Sequence, residues 1–125
     1  MNAVEPLIKH AVDVELAAAR RDHAEFHSLH EGYAVTLEEV EEAHLEMATI
    51  EDLMRGIWSR VRSDNAEMAA DLYRDVELTA VRLATEAIQV AAMAKKAYQG
   101  IPCYKIDANE MYHIGDRTKT WFGKE

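Results

Sequence analysis

The stretch that decides the fold is residues 83–94, which read LATEAIQVAAMA and carry a single charge, that of Glu86. Apolar residues recur in it at the three- and four-residue spacing of a helix, so that Leu83, Val90 and Met93 share a face with Glu86. A carboxylate among apolar side chains is costly unless it is paired, hydrogen-bonded, protonated or bound to metal. We therefore expect polar groups from another part of the chain to approach Glu86.

A second acidic feature lies about 45 residues upstream, where residues 38–42 read EEVEE inside another predicted helix. No Lys or Arg occurs between Arg21 and Arg55, so no i,i+4 salt bridge relieves the repulsion within this run. A divalent cation between residues 38–42 and Glu86 would neutralise the negative charge of both. Carboxylate oxygens are suitable ligands for Mg²⁺ or Mn²⁺. The alternative is that the acidic side of this helix simply faces water.

Composition restricts the class of protein. The chain has 125 residues, enough for one domain, and its 23 Asp plus Glu against 14 Lys plus Arg give a net charge of −9. That charge argues against electrostatic binding of nucleic acid or of an anionic membrane. Cys103 is alone, so no intrachain disulfide forms, and no apolar run reaches the roughly 18 residues of a membrane span. We expect a soluble, cytoplasmic protein.

The helical pattern predicts an all-α fold with three main helices, over residues 6–23, 28–62 and 65–98. Ser28 is the predicted N-cap of the second helix because Glu31 follows it at the spacing of a capping box. Asp64 or Asn65 is expected to cap the third helix. The helical domain covers residues 1–100, and residues 101–125 form an irregular tail that is apolar enough to pack on the bundle or on a neighbouring subunit.

The second helix has two contrasting sides on a helical wheel. The acidic stripe consists of Glu31, Glu38, Glu39, Glu42 and Glu46; the apolar stripe, on the opposite side, consists of Tyr33, Leu37, Val40, His44, Met47, Met54 and Trp58. We expect the apolar stripe to lie in the core or in a subunit interface. Because three helices bury too little alone, a homo-oligomer, either a dimer or a tetramer, is expected to complete a four-helix core.

Two motifs together resemble a known family. Glu-Glu-x-x-Glu at residues 38–42, followed on the next helix by Glu86-x-x-Gln89, is similar to the paired motifs of the MazG-like all-α nucleoside triphosphate pyrophosphohydrolases, including small phage and bacterial members. The resemblance covers roughly residues 5–97. It implies that Glu38, Glu39, Glu42 and Glu86 bind the metal. Gln89 stands where the family has a fourth acid, and it offers a neutral carbonyl oxygen instead.

The resemblance also implies an activity. A nucleoside triphosphate would be split into monophosphate and pyrophosphate with Mg²⁺ or Mn²⁺, and one of Glu38, Glu39 or Glu42 would act as general base. Substrate phosphates would meet cationic and polar groups of the third helix, namely Arg82, Gln89, Lys95 and Lys96, although both lysines are also suited to neutralising the helix dipole. The alternative is a non-catalytic helical interaction or regulatory protein with a degenerate metal site, whose acidic stripe binds a basic partner.

Two rival metal sites follow from spacing alone. His27, His30 and Glu31 form a His-x-x-His-Glu pattern compatible with zinc. Glu-x-x-His occurs at Glu41 and again at Glu110, the pair that di-iron bundles use twice. The second copy falls in the predicted tail, and His44 of the first copy belongs to the apolar stripe, so the carboxylate site is the leading hypothesis.

Overall fold

The computed structural model describes residues 3–102, and this part of the chain consists of three α-helices without a strand. They are α1 (Glu5–Asp22), α2 (Leu29–Arg62) and α3 (Ala66–Gln99). The prediction of an all-α fold with three main helices is confirmed, and their ends agree with the sequence-based boundaries to within one or two residues. No helix in the described part is long and apolar enough to cross a lipid bilayer.

The start of α2 is capped by side chains. The Ser28 hydroxyl oxygen accepts a hydrogen bond from the Glu31 backbone N–H at 3.1 Å. In return, Glu31 Oε1 accepts from the backbone N–H of His27 at 2.7 Å. The return bond reaches one residue further back than in the usual capping box, but the two bonds satisfy two backbone donors at the helix end. The predicted N-cap is confirmed.

A three-residue turn joins α2 to α3. Asp64 adopts a left-handed backbone conformation with φ of 54°, which an acidic residue tolerates better than a branched one. Asn65 caps α3, because its side-chain oxygen accepts a hydrogen bond from the Met68 N–H at 3.1 Å. Since the turn is short and the two long helices contact each other extensively, α2 and α3 form an antiparallel hairpin.

α1 contacts chiefly α3, and it covers the C-terminal half of that helix. Two polar bonds connect the helices: the Arg20 guanidinium donates to Gln99 Oε1 at 2.9 Å, and the Lys95 ammonium pairs with Asp13 at 3.0 Å. α1 has 18 residues and α3 has 34, so α1 does not extend over the N-terminal half of α3.

The described part of the chain buries few apolar side chains. The buried apolar side chains are those of Leu16, Ile57 and Ala92. By contrast, the apolar stripe of α2 is open to solvent within one chain: Tyr33 is 69% exposed and Trp58 is 61% exposed. A continuous apolar surface of this kind is typical of a protein interface. Among residues 3–102, the stripe therefore does not belong to the core.

The predicted tail follows α3. Its first two residues, Ile101 and Pro102, are the last that the structure describes. The remaining tail residues, among them Trp121, Phe122 and the second Glu-x-x-His pair at Glu110, lie outside the described residues.

Candidate functional site

The candidate site lies in the contact between α2 and α3. Residues of α2 that face α3 recur every three or four positions, and most are small or apolar: Gly32, Val35, Ala43, Ile50, Leu53 and Ile57. Two positions of the same row hold carboxylates, Glu39 and Glu46, and the facing row on α3 holds Glu86. All three side chains are half-buried. The helix pairing that builds the hairpin thus brings acids of both helices together.

Three carboxylates form a cluster at one edge of this contact. One oxygen from each of Glu39, Glu42 and Glu86 lies within 4.8 Å of the others. Glu39 and Glu86 are half-buried, whereas Glu42 is exposed, so the cluster opens to solvent on the Glu42 side. Polar groups of α2 therefore approach Glu86, as its apolar sequence setting predicts.

Gln89 lies inside the cluster. With its amide nitrogen turned toward the acids, it donates to Glu86 Oε2 at 2.9 Å and to Glu39 Oε2 at 3.0 Å. The side chain therefore bridges a carboxylate of α3 and one of α2 without contributing charge. Sequence reasoning considered the Gln89 oxygen as a ligand or phosphate contact and missed this bridge, because the bridge depends on how the two helices are aligned.

The pKa of Glu39 is raised above its ordinary value. Burial is the main cause, because it penalises the ionised form, and nearby negative charges add to it. Those charges belong to Glu42, Glu38 and Glu15. Glu15 belongs to α1 and the other two acids to α2, so two helices contribute negative charge around this carboxylate.

The pKa of Glu86 is raised as well. Burial is again the largest cause, followed by a hydrogen bond with Glu42 that favours the protonated form. The charges of Glu42, Glu39 and Glu46 act in the same direction. A site that favours protonation of its acids also favours a bound cation, because either one removes the repulsion between neighbouring carboxylates.

Arg82 pairs with a different acid. Its Nε donates to Glu46 Oε2 at 3.1 Å, and a terminal nitrogen donates to the Thr79 hydroxyl at 3.1 Å. The side chain is 59% exposed, so the guanidinium lies at the solvent edge of the hairpin. Glu86 thus faces carboxylates of α2, while the Arg82 guanidinium, one turn earlier on α3, is paired with Glu46.

The structure separates the remaining candidates from the cluster. Glu38 is exposed and is not one of the three acids whose oxygens converge. Lys95 and Lys96 follow Glu86 by nine and ten residues, so their Cα atoms lie about 14 and 15 Å from that of Glu86 along the helix axis. Lys95 is engaged with Asp13. The Lys96 ammonium is buried and lies 4.4 Å from the centre of the Phe26 ring.

The histidine patterns do not form a comparable group. Among residues 3–102, the Glu39–Glu42–Glu86 cluster is the one set of His, Cys, Asp and Glu side chains whose ligand atoms converge closely enough for an ion. Glu31 of the His-x-x-His-Glu pattern is engaged in capping α2.

The donor set fits a hard divalent cation. Three carboxylates supply oxygen ligands, and the open side at Glu42 leaves room for water or substrate oxygens, as Mg²⁺ and Mn²⁺ sites require. One further group is unsatisfied: the Thr36 hydroxyl, one turn before Glu39, is buried without a hydrogen-bond partner among the described residues. The spacing of Thr36 and Glu39 is visible in the sequence, but the burial of the hydroxyl is not.

Comparisons with protein-family models, with curated proteins and with solved structures gave no match to this chain.

Proposed function

We propose that the protein is a metal-dependent nucleoside triphosphate pyrophosphohydrolase that releases nucleoside monophosphate and pyrophosphate. The observation that carries this proposal is the convergence of Glu39, Glu42 and Glu86 from two helices at a solvent-open edge. The resemblance of the two acidic motifs to the MazG-like enzymes supports the same assignment. An acidic protein also needs a cation to bind a polyphosphate, since the bare site repels it.

Glu39, Glu42 and Glu86 would hold Mg²⁺ or Mn²⁺. The bound ion would neutralise phosphate oxygens and polarise the phosphorus that is attacked. Gln89 would keep the two half-buried acids of α2 and α3 in register through the two hydrogen bonds that its amide nitrogen donates.

The reaction needs a proton acceptor for the attacking water. Glu38 would act as this general base, because it is adjacent to Glu39 on α2 and is not one of the three acids proposed to hold the ion. The water oxygen forms a bond to the α-phosphorus, the bond from that phosphorus to the bridging oxygen breaks, and pyrophosphate leaves. Arg82, at the solvent edge beside Glu46, is the group suited to meeting a substrate phosphate, because guanidinium binds phosphate in a fork.

The proposed active form is a homodimer built on the apolar stripe. Exposed alanines on α3 also recur every three or four residues, at Ala80, Ala84, Ala87, Ala91 and Ala94. Helical geometry puts this row beside the apolar stripe, on the side of the hairpin opposite the acidic stripe. A second hairpin packed against this side completes a four-helix core and leaves the carboxylates open to substrate.

The alternative is a non-catalytic scaffold, and one observation favours it. Gln89 already satisfies one oxygen of Glu39 and one of Glu86 with a neutral amide, so the cluster is partly stabilised without an ion. In this case the chain would bind a basic partner through its acidic stripe and show no affinity for Mg²⁺.

The deciding experiment measures pyrophosphate release from a panel of nucleoside triphosphates with Mg²⁺ or Mn²⁺. The native chain is compared with Glu38→Gln and Glu86→Gln, and with Glu41→Gln as a matched control, since Glu41 is exposed and outside the cluster. We expect metal-dependent release that both site variants reduce by about a hundredfold or more and that the control retains. Absence of release, together with no metal-induced rise in Tm, would establish the scaffold instead.

A further inference from the structure

A buried cation lies at the end of the hairpin remote from the turn. Lys96 is 4% exposed, and its ammonium lies 4.4 Å from the centre of the Phe26 ring. It borders a cavity of about 470 Å³, lined also by Gly32, Tyr33 and Ile101. This volume is within the range of small-molecule sites.

The Lys96 side chain lines the cavity without an ion-pair partner among the described residues. Among residues 3–102 no carboxylate lies within salt-bridge distance of Lys96, and its identified interaction is with the face of Phe26. A ring face offsets part of the cost of burying a cation, but it does not take up the three N–H donors. A ligand in the cavity that presents a hydrogen-bond acceptor would complete this site.

The walls of the cavity favour a flat ligand. Phe26 lies close against α2 because Gly32 has no side chain; a Cβ at this position would be 3.2 Å from Phe26 Cδ2. The aromatic and aliphatic lining would be left uncovered by a small anion, and an aliphatic ligand would leave the ammonium unpaired. A planar heteroaromatic ring with a carbonyl oxygen satisfies both the lining and the cation.

The cavity lies on the same side-chain row as the carboxylate cluster. Gly32 precedes Glu39 by seven residues, about 10 Å along α2. A second cavity, of about 310 Å³, shares Phe26 and Lys96 and is lined by Val35 and Met93, each one turn from the cluster. The two cavities therefore lead from Phe26 and Lys96 toward the carboxylates, and the second also has Asp22 and Glu31 in its lining.

We propose that this cavity binds the base of the nucleotide, with Lys96 donating a hydrogen bond to a carbonyl oxygen of the base and Phe26 lying against the ring. The inference rests on the proposed function and deepens it, because it names the substrate class. Bases that carry a carbonyl oxygen, such as uracil, thymine and guanine, are preferred over adenine, which has none. Lys96 thus acts on the base rather than on the phosphates.

The test titrates nucleosides into the full-length, metal-free protein and follows binding by two-dimensional NMR. Uridine and guanosine are expected to bind, and adenosine about tenfold more weakly. Lys96→Met should weaken uridine binding by about tenfold or more, because it keeps the length of the side chain and removes the donor. Lys95→Met is the matched control, since its ammonium pairs with Asp13 on the other side of α3, and it should bind like the native chain.

Equal binding of uridine and adenosine, or native affinity in Lys96→Met, would overturn the proposal. So would displacement of uridine by inorganic phosphate alone, which would mark an anion site. Phe26→Leu gives a second variant if Lys96→Met does not fold, and it too should lose nucleoside affinity. The nucleosides lack phosphates and no metal is added, so nucleoside binding can be observed even if the protein shows no pyrophosphohydrolase activity. Conversely, a chain that fails to bind nucleosides can still be tested for pyrophosphate release.

Discussion

The side of α2 that faces α3 and the apolar stripe of the same helix each hold residues in an unusual environment. The side that faces α3 carries half-buried acids at Glu39 and Glu46, whereas the apolar stripe, with Met47 and Trp58, is exposed. A surface helix ordinarily turns its apolar side to the core and its charges to water. Within residues 3–102 each side of α2 is therefore only partly partnered: Glu46 pairs with Arg82 but the Glu39–Glu42–Glu86 cluster has no ion pair, and the apolar stripe is exposed.

The two sides also differ in the kind of partner that would stabilise them. The acidic side needs a single ion or a few protons, and Gln89 meets part of that need through two hydrogen bonds. The apolar side needs a surface of matching length, and the parallel rows on α2 and α3 offer one that a second copy reproduces. A substitution on one side of α2 can therefore be chosen that leaves the other side intact.

The largest expected effect is on association. Met47→Glu puts a charge in the middle of the apolar stripe, where Met47 is 44% exposed in the single chain. The proposed dimer should dissociate, with its Kd rising by about a hundredfold, because a desolvated and unpaired charge is costly in an interface. Multi-angle light scattering over a concentration series measures this directly.

Leu45→Glu is the control for this change. Leu45 is 66% exposed and lies off the apolar stripe, so the same charge should leave the dimer intact. If the native chain is monomeric at every concentration, the proposed dimer through the apolar stripe is wrong.

The next effect concerns Gln89 and the metal. Gln89→Asp replaces the bridging amide with a fourth carboxylate, which should increase Mg²⁺ affinity about tenfold and lower the Tm of the metal-free chain. Isothermal titration calorimetry gives the affinity. Thr85→Asp adds the same charge at an exposed position outside the cluster and should change neither quantity much. Unchanged affinity in Gln89→Asp would show that the cluster is not a metal site.

A third effect is the pH dependence of stability. The raised pKa of Glu86 means that the folded chain binds a proton here more tightly than the unfolded chain does. The resulting stabilisation is complete below the ordinary value of 4.5 and is lost as pH rises through the raised folded pKa. Without metal, Glu86→Gln should therefore match the native Tm in acid and exceed it by a few degrees at neutral pH.

Thermal melting from acid to neutral pH tests this sign, with Glu41→Gln as the exposed control. A Tm of Glu86→Gln below that of the native chain at neutral pH would mean that an ionised Glu86 is stabilised by a partner. Added Mg²⁺ should raise the Tm of the native chain and have a smaller effect on the variant.

The smallest effect is expected from Arg82→Gln. The pair with Glu46 is largely exposed on the arginine side, so its loss should cost about 0.5 kcal/mol in the free energy of unfolding. The change also makes the acidic side more negative, and Mg²⁺ should bind slightly more tightly. Urea unfolding at low and high salt measures the first quantity, and the difference should shrink in salt.

Much of the local structure was predictable from neighbouring residues. The cap at Ser28 requires Glu31 three positions later, and the turn requires a polar residue such as Asn65 to cap α3. These hydrogen bonds join residues within one helical turn, so their spacing appears directly in the sequence. The separation of acidic and apolar stripes on α2 is likewise a matter of helical period.

The partners of individual side chains were less predictable. Glu38 and Glu42 occupy similar positions in the motif, yet only Glu42 joins Glu39 and Glu86. Lys95 and Lys96 are neighbours, but one pairs with α1 at the surface and the other is buried over Phe26. A difference of one residue turns a side chain by about 100° around the helix, and the helix against which it then packs decides its environment.

The sequence by itself determined that the chain forms three helices, where they begin and end, and that one helix carries an acidic and an apolar stripe, because these features depend on spacing within a few turns. Only the tertiary structure decided that the acidic stripe borders α3, that Gln89 bridges two carboxylates, and that Lys96 is buried beside a cavity. Each of these requires residues about 45 to 70 positions apart to meet, and the rotation and alignment of the packed helices decide which of them do.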